Sequence, residues 1–540
     1  MSQRLRVALS QLNFLVGDIA GNTRRVREAV AQARVDGAHV VLFPELCLTG
    51  YPPEDLLLRP GLMRQVDAAL AELKAASHDI HVVIGCPQRR DGQLYNCAVV
   101  LHNGQQLACY DKQHLPNYSV FDEKRYFATG NQPTVVEING IHVGLTVCED
   151  IWFPGPSAQA VAAGAQLILN LNASPFHQGK LHQREQVVAQ RARESQVPVV
   201  YVNLVGGQDE LVFDGASFVM NGDGQVAHRS RAFEEMQDVV QFDLRDGRLQ
   251  TQSDALLPPA DNLAGVYSAL VLGVRDYVLK NGFKGVVLGL SGGIDSALVL
   301  AIAVDALGAD NVEAVMLPSR YTADISEHDA AKMAQILGIE FRSISIEKAF
   351  DAFMGLLAAE FSGTSTDVTE ENIQARCRGV ILMAISNKKG RMVLSTGNKS
   401  EMAVGYSTLY GDMAGGLDVL KDVPKVLVYA LSNWRNRHGE VIPQRIIDRP
   451  PSAELRPDQK DSDSLPDYAV LDPILEAYVE HDRSIAEIVA MGFDEAEVRR
   501  VTRMVDRNEY KRRQAAPGIR ITPRAFGKDR RYPITSGFCD

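Results

Sequence analysis

Two α/β units in tandem, the second a doubly wound parallel sheet, are predicted by three features of the sequence. Runs rich in β-branched residues alternate with helical stretches; a connector with paired prolines interrupts the alternation near Pro258; and beyond it the apolar run KGVVLGL leads through SGGIDS into the helix-like ALVLAIAVDAL. A chain of 540 residues also exceeds the roughly 250–300 residues at which single cores stop growing.

In the first half the strand-like runs are RVALSQL, HVVLFPEL, HVVIGC, HVGLTVC, LILNLNAS, PVVYVNLVG and ASFVMN, with helical stretches such as the one following Asn22 between several of them. The segment from Thr251, TQSDALLPPADNLAGV, has no sustained apolar period and reads as a connector. The expected organisation is therefore 1–250, a linker over 251–262, and 263–540. In the second half the runs KGVVLGL, VEAVML, FRSISI and GRMVLST are separated by helices, one of them expected to open with the capping pattern Ser326-x-x-Asp329. In ENIQARCRGVILMAISNKKG, Ile373, Cys377, Ile381 and Ile385 recur every four residues, which puts Asn372 and Arg376 on another face of one helix. The Pro-rich, charged stretch from Pro451 reads as a mobile surface loop.

Composition excludes several classes. The chain is 46% hydrophobic and 23% charged, with no apolar run near the ~18 residues a membrane span needs. Its N-terminus carries charges inside its apolar stretch, unlike a secretory signal, so a cytoplasmic home without membrane partners is expected. A net charge of −11 argues against nucleic acid as a partner. One basic stretch (Arg507, Lys511, Arg512, Arg513, Arg520, Arg524, Lys528, Arg530) is either a solvated tail or a clamp on a phosphate-bearing small molecule. Cys47, Cys86, Cys97, Cys109, Cys148, Cys377 and Cys539 are dispersed without CxxC spacing, so neither a disulfide framework nor a zinc motif is indicated.

The chemistry concentrates in a few strings. SGGIDS sits between a strand and a helix, where backbone N–H groups and the helix N-terminus favour an anionic group. It is not a Walker A loop, since no Lys follows the glycines. A second strand, GRMVLST, runs directly into GNKSE, so both turns are expected to face one pocket at the carboxyl ends of the strands. In the first half, Cys148 follows the strand HVGLTV in CEDIW and is the candidate nucleophile, whereas Cys47, Cys86, Cys97 and Cys109 read as buried small hydrophobes. No GxSxG elbow is present.

SGGIDS resembles the phosphate loop of the ATP pyrophosphatase family, whose members adenylate a substrate. FPELCLTGYPPED with Glu45, DKQHLPNYSVFDEKRYF with Lys112 and Glu123, and CEDIW with Cys148 together resemble the nitrilase, or carbon–nitrogen hydrolase, superfamily. That likeness implies an αββα sandwich with a Glu45–Lys112–Cys148 triad in which the thiolate attacks an amide, Glu45 shuttles the proton and Lys112 steadies the oxyanion, while Glu123 orients the site. A neighbouring cation also lowers a thiol's pKa, so Lys112 is expected to help there. Tyr118, Ser174 and Lys180 match positions that contact glutamine in the glutamine-using branch.

The phosphate loop alone leaves the acceptor open among GMP, asparagine, argininosuccinate, thiolated tRNA and NAD synthesis; a nucleotide sensor without chemistry is a further alternative. ENIQARCRGVILMAISNKKG and STGNKSEMAVGYSTLYGDMAGG resemble the glutamine-dependent NAD synthetase family. The resemblance implies a Rossmann-like second unit and the final step of NAD biosynthesis: ATP adenylates deamido-NAD, and ammonia from glutamine, channelled between the sites, completes NAD with release of AMP, diphosphate and glutamate. It further implies that Gly289, Ser291, Gly292, Gly293, Asp295, Ser296, Thr396, Lys425 and Ser452 bind ATP, that Asn372, Arg376, Glu401 and Lys511 bind deamido-NAD, and that Asp295 and Glu401 hold Mg2+. A homo-oligomer is implied as well.

Overall fold

The computed structural model describes residues 4–245, 247–251, 256–457 and 459–538; Cys539 and part of the expected linker lie outside the described residues. The chain divides into two compact units, Met1–Asp261 and Asn262–Asp540.

The first unit contains two large sheets. One has seven strands in the order Arg248–Thr251, Met236–Arg245, Arg4–Gln11, Val40–Leu42, His81–Arg90, Gln93–His102 and Gln105–Asp111; the other has six, in the order Val226–Arg229, Phe218–Met220, Val199–Asn203, Leu167–Asn172, Ile141–Val147 and Val135–Ile138. Alternating residues of both sheets meet in one core: Leu5, Val7, Leu9, Val40 and Leu42 from the first, Val143, Leu145, Val147, Leu169 and Val202 from the second. The outer face of the seven-stranded sheet is covered by helices Ile19–Val35 and Pro60–Ala76, which turn Val26, Val30, Val66 and Leu70 inward. The outer face of the six-stranded sheet is covered by helix Lys180–Ser195 through Val188, Ala189 and Ala192. The layers are thus helix, sheet, sheet, helix. The first helix starts at Ile19, ahead of Asn22, because the Asp18 carboxylate accepts from Gly21 N at 2.9 Å and caps it.

The second unit is built on five strands, all parallel, in the order Glu340–Ser343, Val312–Met316, Val286–Gly289, Met392–Ser395 and Leu417–Asp418. Strand order reverses between Val286–Gly289 and Met392–Ser395, so the two turns after those strands open on one crevice. Helix Ile294–Leu307 follows the first turn, with every residue from Ser296 to Ala303 buried. Helix Val368–Lys389 buries Ile373 and Cys377 against strand residues Val287, Val315 and Val393, with Ile381 and Ile385 partly buried beside them, as the four-residue period requires.

Two local expectations are corrected. Helix Asp324–Leu337 begins two residues before Ser326, after Ala323, with no side-chain cap. The Ser326 hydroxyl instead donates to Glu454 at 2.8 Å, and Asp329 pairs with Arg445. The stretch from Pro451 is no detached surface loop: Pro451, Ser452 and Glu454 line the crevice, and Ser452 Oγ donates to Gln459 O at 2.5 Å. Among the described residues, no helix is long and apolar enough to cross a membrane.

Candidate active sites

In the first unit, the ends of several strands bring Glu45, Lys112, Glu123 and Cys148 together. Cys148 is the first residue after strand Ile141–Val147 and has a φ of 45°, a left-handed conformation that non-glycine residues adopt only under constraint. Asp150 supplies the constraint. Its carboxylate accepts from Val147 N at 3.1 Å, Gln113 N at 3.0 Å, His114 N at 2.8 Å and Tyr110 Oη at 2.9 Å, fastening the Cys148 turn to the segment that follows Lys112.

Lys112 Nζ donates to Glu45 Oε1 at 2.6 Å and to both Glu123 oxygens at 2.9 Å, with no solvent at the ammonium or at Glu45. Glu45 is held further by Asn96 Nδ2 at 2.7 Å and by Ala173 N at 3.1 Å; Glu123 also accepts from Tyr51 Oη at 2.9 Å. Burial alone would push the Lys112 ammonium down, but Glu123 and Glu45 outweigh it and keep its pKa well above the ordinary value. Burial pushes the Glu123 carboxyl up to about 7, against the pull of Lys112. For Cys148, burial and then Glu45 raise the thiol well above its ordinary value, and the opposing effect of Lys112 does not reverse this. The expectation of a lysine-depressed thiol is therefore corrected: burial and Glu45 outweigh Lys112 and hold the Cys148 thiol above its ordinary value.

Around this group, Tyr118 Oη donates to both Glu149 oxygens at 3.1 Å, and Lys180 Nζ stands 4.2 Å from the centre of the Trp152 ring. Ser174 follows Ala173; its amide donates to Asn203 Oδ1 at 2.9 Å and its hydroxyl accepts from Arg184 Nε at 3.1 Å. Arg184, fully buried, is neutralised by Asp214 at 2.7 Å. Asn96, Tyr51, Asp150, Arg184 and Asp214 are thus parts of the site that no sequence motif singled out.

In the second unit a cavity of about 290 Å³ opens at the strand-order switch, lined by Gly289, Ser291–Ser296, Thr396, Glu401, Lys425 and Ser452. Gly292 has a φ of 80°, and a Cβ on it would lie 2.5 Å from the Ser326 carbonyl oxygen. Only glycine fits there. Ser296 Oγ donates to Gly293 O at 3.0 Å and accepts from Ser291 N at 3.2 Å, and Gly293 N donates to Ser291 Oγ at 3.2 Å, so that the turn is fixed by its own serines. Lys425 Nζ contacts Asp295 Oδ2 at 2.5 Å and Glu401 Oε1 at 3.3 Å, while Asn398 Nδ2 donates to Asp295 Oδ1 at 3.0 Å. Burial pushes Glu401 up to about 8, with Lys425 opposing and Asp295 adding to the rise. Asp461 lines the same cavity, and burial raises its carboxyl too. Arg378 and Arg449, which the motifs did not flag, also line it.

A carbon-nitrogen hydrolase family model matches residues 6–251, and an NAD synthase family model matches residues 266–515. The glutamine-dependent NAD(+) synthetase of Acinetobacter baylyi is 50% identical over 536 residues, covering 99% of this chain and 98% of its own. That of Xanthomonas campestris pv. campestris is 51% identical over 541 residues, with 99% and 98% covered. This chain belongs to the glutamine-dependent NAD(+) synthetase family. A solved glutamine-dependent NAD+ synthetase from Acinetobacter baumannii, in complex with ADP, superposes with a TM-score of 0.81 at 48% identity and 98% coverage of each chain.

Against that family background, Asn372, Arg376 and Lys511 stand outside the cavity lining and converge on the adjacent segment 405–409. Thr408 Oγ1 donates to Asn372 Oδ1 at 2.8 Å, Arg376 Nε donates to Leu409 O at 3.2 Å, and Lys511 Nζ donates to Gly405 O and Ser407 O at 2.8 and 2.9 Å. Much of the basic stretch is spent internally: Arg512, Arg513 and Arg530 on Glu509, Arg520 on Asp529 and Arg524 on Asp482. Neither a solvated tail nor a free phosphate clamp describes Arg512, Arg520 and Arg530, which are buried on those partners.

Proposed function

We propose that this chain makes NAD from deamido-NAD, with ATP and glutamine as co-substrates. The observation that carries the reading is the presence, in one chain alike over its full length to such synthetases, of a buried Glu–Lys–Cys group and a separate switch-point crevice with a phosphate-type turn. On this reading residues 1–250 are the glutaminase, 251–262 the connector and 263–540 the synthetase.

In the glutaminase, Tyr118, Ser174 and Lys180 hold glutamine against Cys148. Glu45 takes the thiol proton as sulfur attacks the amide carbon, and Lys112 faces the developing oxyanion, with Glu123 sharing its charge. Collapse expels ammonia, which leaves with the proton from Glu45. Water, deprotonated by Glu45, then releases glutamate from the thioester. A raised thiol pKa fits this order, since the thiolate forms only when the base and substrate are both in place.

In the synthetase, the backbone from Gly289 to Gly293, with Ser296, Thr396, Lys425 and Ser452, holds the ATP phosphates. Asn372, Arg376, Glu401 and Lys511 position deamido-NAD, directly or through the segment 405–409. The nicotinate carboxylate attacks the α-phosphorus, diphosphate leaves, and ammonia displaces AMP from the acyl carbon. Asp295 and Glu401 fit Mg2+: both offer hard oxygens, and with Asp461 beside them a single ammonium, Lys425, faces three carboxylates. When bound, the ion supplies Lewis-acid stabilisation of phosphate oxygens. A cytoplasmic homo-oligomer completes the reading.

Glutamine labelled with 15N in its amide, supplied with deamido-NAD, ATP and magnesium, tests it. The label is expected in the NAD carboxamide with one AMP and one diphosphate per NAD; ADP and phosphate in their place would overturn the adenylation step.

A further inference from the structure

We propose that Cys97, Cys109 and Asp111 form a binding site for a thiophilic divalent cation of the zinc type, on the helix-covered face of the seven-stranded sheet. The pairing register builds the cluster. Cys97 lies directly opposite Asp111 on adjacent antiparallel strands, and Cys109, two residues before Asp111, turns to the same face. No CxxC spacing announces it because the ligands come from two arms of a hairpin.

The three ligand atoms lie within 4.8 Å of one another. Cys97 Sγ is 3.2 Å and Cys109 Sγ 3.8 Å from Asp111 Oδ1. Zinc–sulfur bonds of ~2.3 Å and zinc–oxygen bonds of ~2.0–2.2 Å at a tetrahedral angle place sulfur and oxygen about 3.5 Å apart, so the two observed separations bracket that value. Two thiols and a carboxylate are a borderline-soft donor set, and the Gln88 Oε1 atom, 3.4 Å from Cys109 Sγ, or a water is at hand for a fourth position. Arg90 now neutralises Asp111; its side chain is 42% exposed and rests on the Tyr95 ring, so it can withdraw towards solvent as the ion enters past half-buried Cys109. Binding releases two thiol protons to solvent and leaves two thiolates and one carboxylate on the metal. Asn96 and Lys112 are the chain neighbours of Cys97 and Asp111, and Lys112 N donates to Asn96 O at 2.9 Å. An ion there would tie the strand that carries Asn96 to the end of the strand that leads into Lys112, the two residues whose side chains reach Glu45.

The test is a cobalt titration of the full-length, reduced, chelator-stripped protein, followed by the sulfur-to-cobalt charge-transfer absorption and then by displacement with zinc. One cobalt per chain is expected, with the absorption intact in Cys148→Ala and lost in Cys97→Ser and Cys109→Ser, and with Asp111→Asn binding at least about tenfold more weakly, the range one supporting ligand commands. Circular dichroism checks folding; should Cys97→Ser not fold, the half-buried Cys109→Ser decides alone. No charge-transfer band in the parent protein, a band that persists without Cys109, or a band that vanishes in Cys148→Ala would overturn the proposal. None of these readouts depends on NAD synthesis, so the site can fail while the proposed activity stands.

Discussion

Each candidate site places one lysine between two carboxylates, yet the two ammonium groups sit in opposite circumstances. Lys112 lies between Glu45 and Glu123 at 2.6 and 2.9 Å, and further donors from Asn96, Ala173 and Tyr51 complete a closed, dry group. Lys425 lies between Asp295 and Glu401 at 2.5 and 3.3 Å, but Asp461 adds a third carboxylate and the group faces a cavity of about 290 Å³. The first site is finished by the protein. The second leaves one ammonium facing three carboxylates at an open cavity. Preorganised donors of the first kind suit a covalent step on a small amide; an open, carboxylate-rich crevice beside a glycine turn suits a polyphosphate and its counter-ion.

The comparison breaks most sharply at the lysines. Lys112→Met leaves Glu45 and Glu123 buried without a counter-charge, which costs about 3–5 kcal/mol, and glutamine-driven synthesis should fall at least ~10³-fold with the lost oxyanion donor. Lys425→Met should destabilise the nucleotide-free protein less, since its carboxylates face a cavity, and that deficit should shrink when magnesium and ATP are added. Denaturant melts with and without nucleotide measure both; equal losses in the two variants would remove the distinction.

A smaller effect is expected at Asn96, whose amide holds Glu45. A hydrogen bond to a charged group contributes about 1.5–3 kcal/mol, so Asn96→Ala should slow glutamine turnover roughly ten- to a hundredfold while ammonium-driven synthesis is unchanged.

How much of this was legible differs between the units. In the second, SGGIDS and STGNKSE mark the crevice from sequence because a phosphate turn depends on consecutive small residues, and chain order alone shows which strands precede them. In the first, Cys148, Lys112, Glu45 and Glu123 were legible through their strings, whereas Asn96, Tyr51, Asp150 and the Arg184–Asp214 pair act across 30 to 72 residues of sequence, and such long-range partners leave no local pattern. The hairpin of Gln93–His102 and Gln105–Asp111, which carries Asn96 and leads to Lys112, does have a local signal: Asn103-Gly104, both with positive φ, form its two-residue turn. The rise of the Cys148 thiol could not be read from sequence, because it depends on burial outweighing a neighbouring cation.

The pH response sharpens the contrast further. Glu401 has its pKa raised from 4.5 to about 8 in the folded protein, so folding favours its protonated form. Its contribution to stability is fully present below the ordinary value and is lost as pH rises towards about 8. Thermal melts of nucleotide-free protein between pH 5 and pH 8 should therefore show a decline that Glu401→Gln flattens, the difference between the two isolating this group from Asp418 and Glu123, whose carboxyls burial also raises. A parallel decline in both proteins would contradict the burial-raised Glu401 carboxyl. The smallest effect belongs to Tyr118, which is 56% exposed and donates to Glu149: Tyr118→Phe should raise the KM for glutamine by roughly two- to tenfold and leave the KM for ammonium untouched.

The most direct measurement is NAD formation from deamido-NAD, ATP and magnesium by the intact chain and by Cys148→Ala, each with glutamine or with ammonium. Two sites with separate chemistry predict that the variant loses glutamine-driven synthesis and keeps ammonium-driven synthesis. NAD from neither donor with the intact protein, or glutamine use that survives without Cys148, would contradict the account.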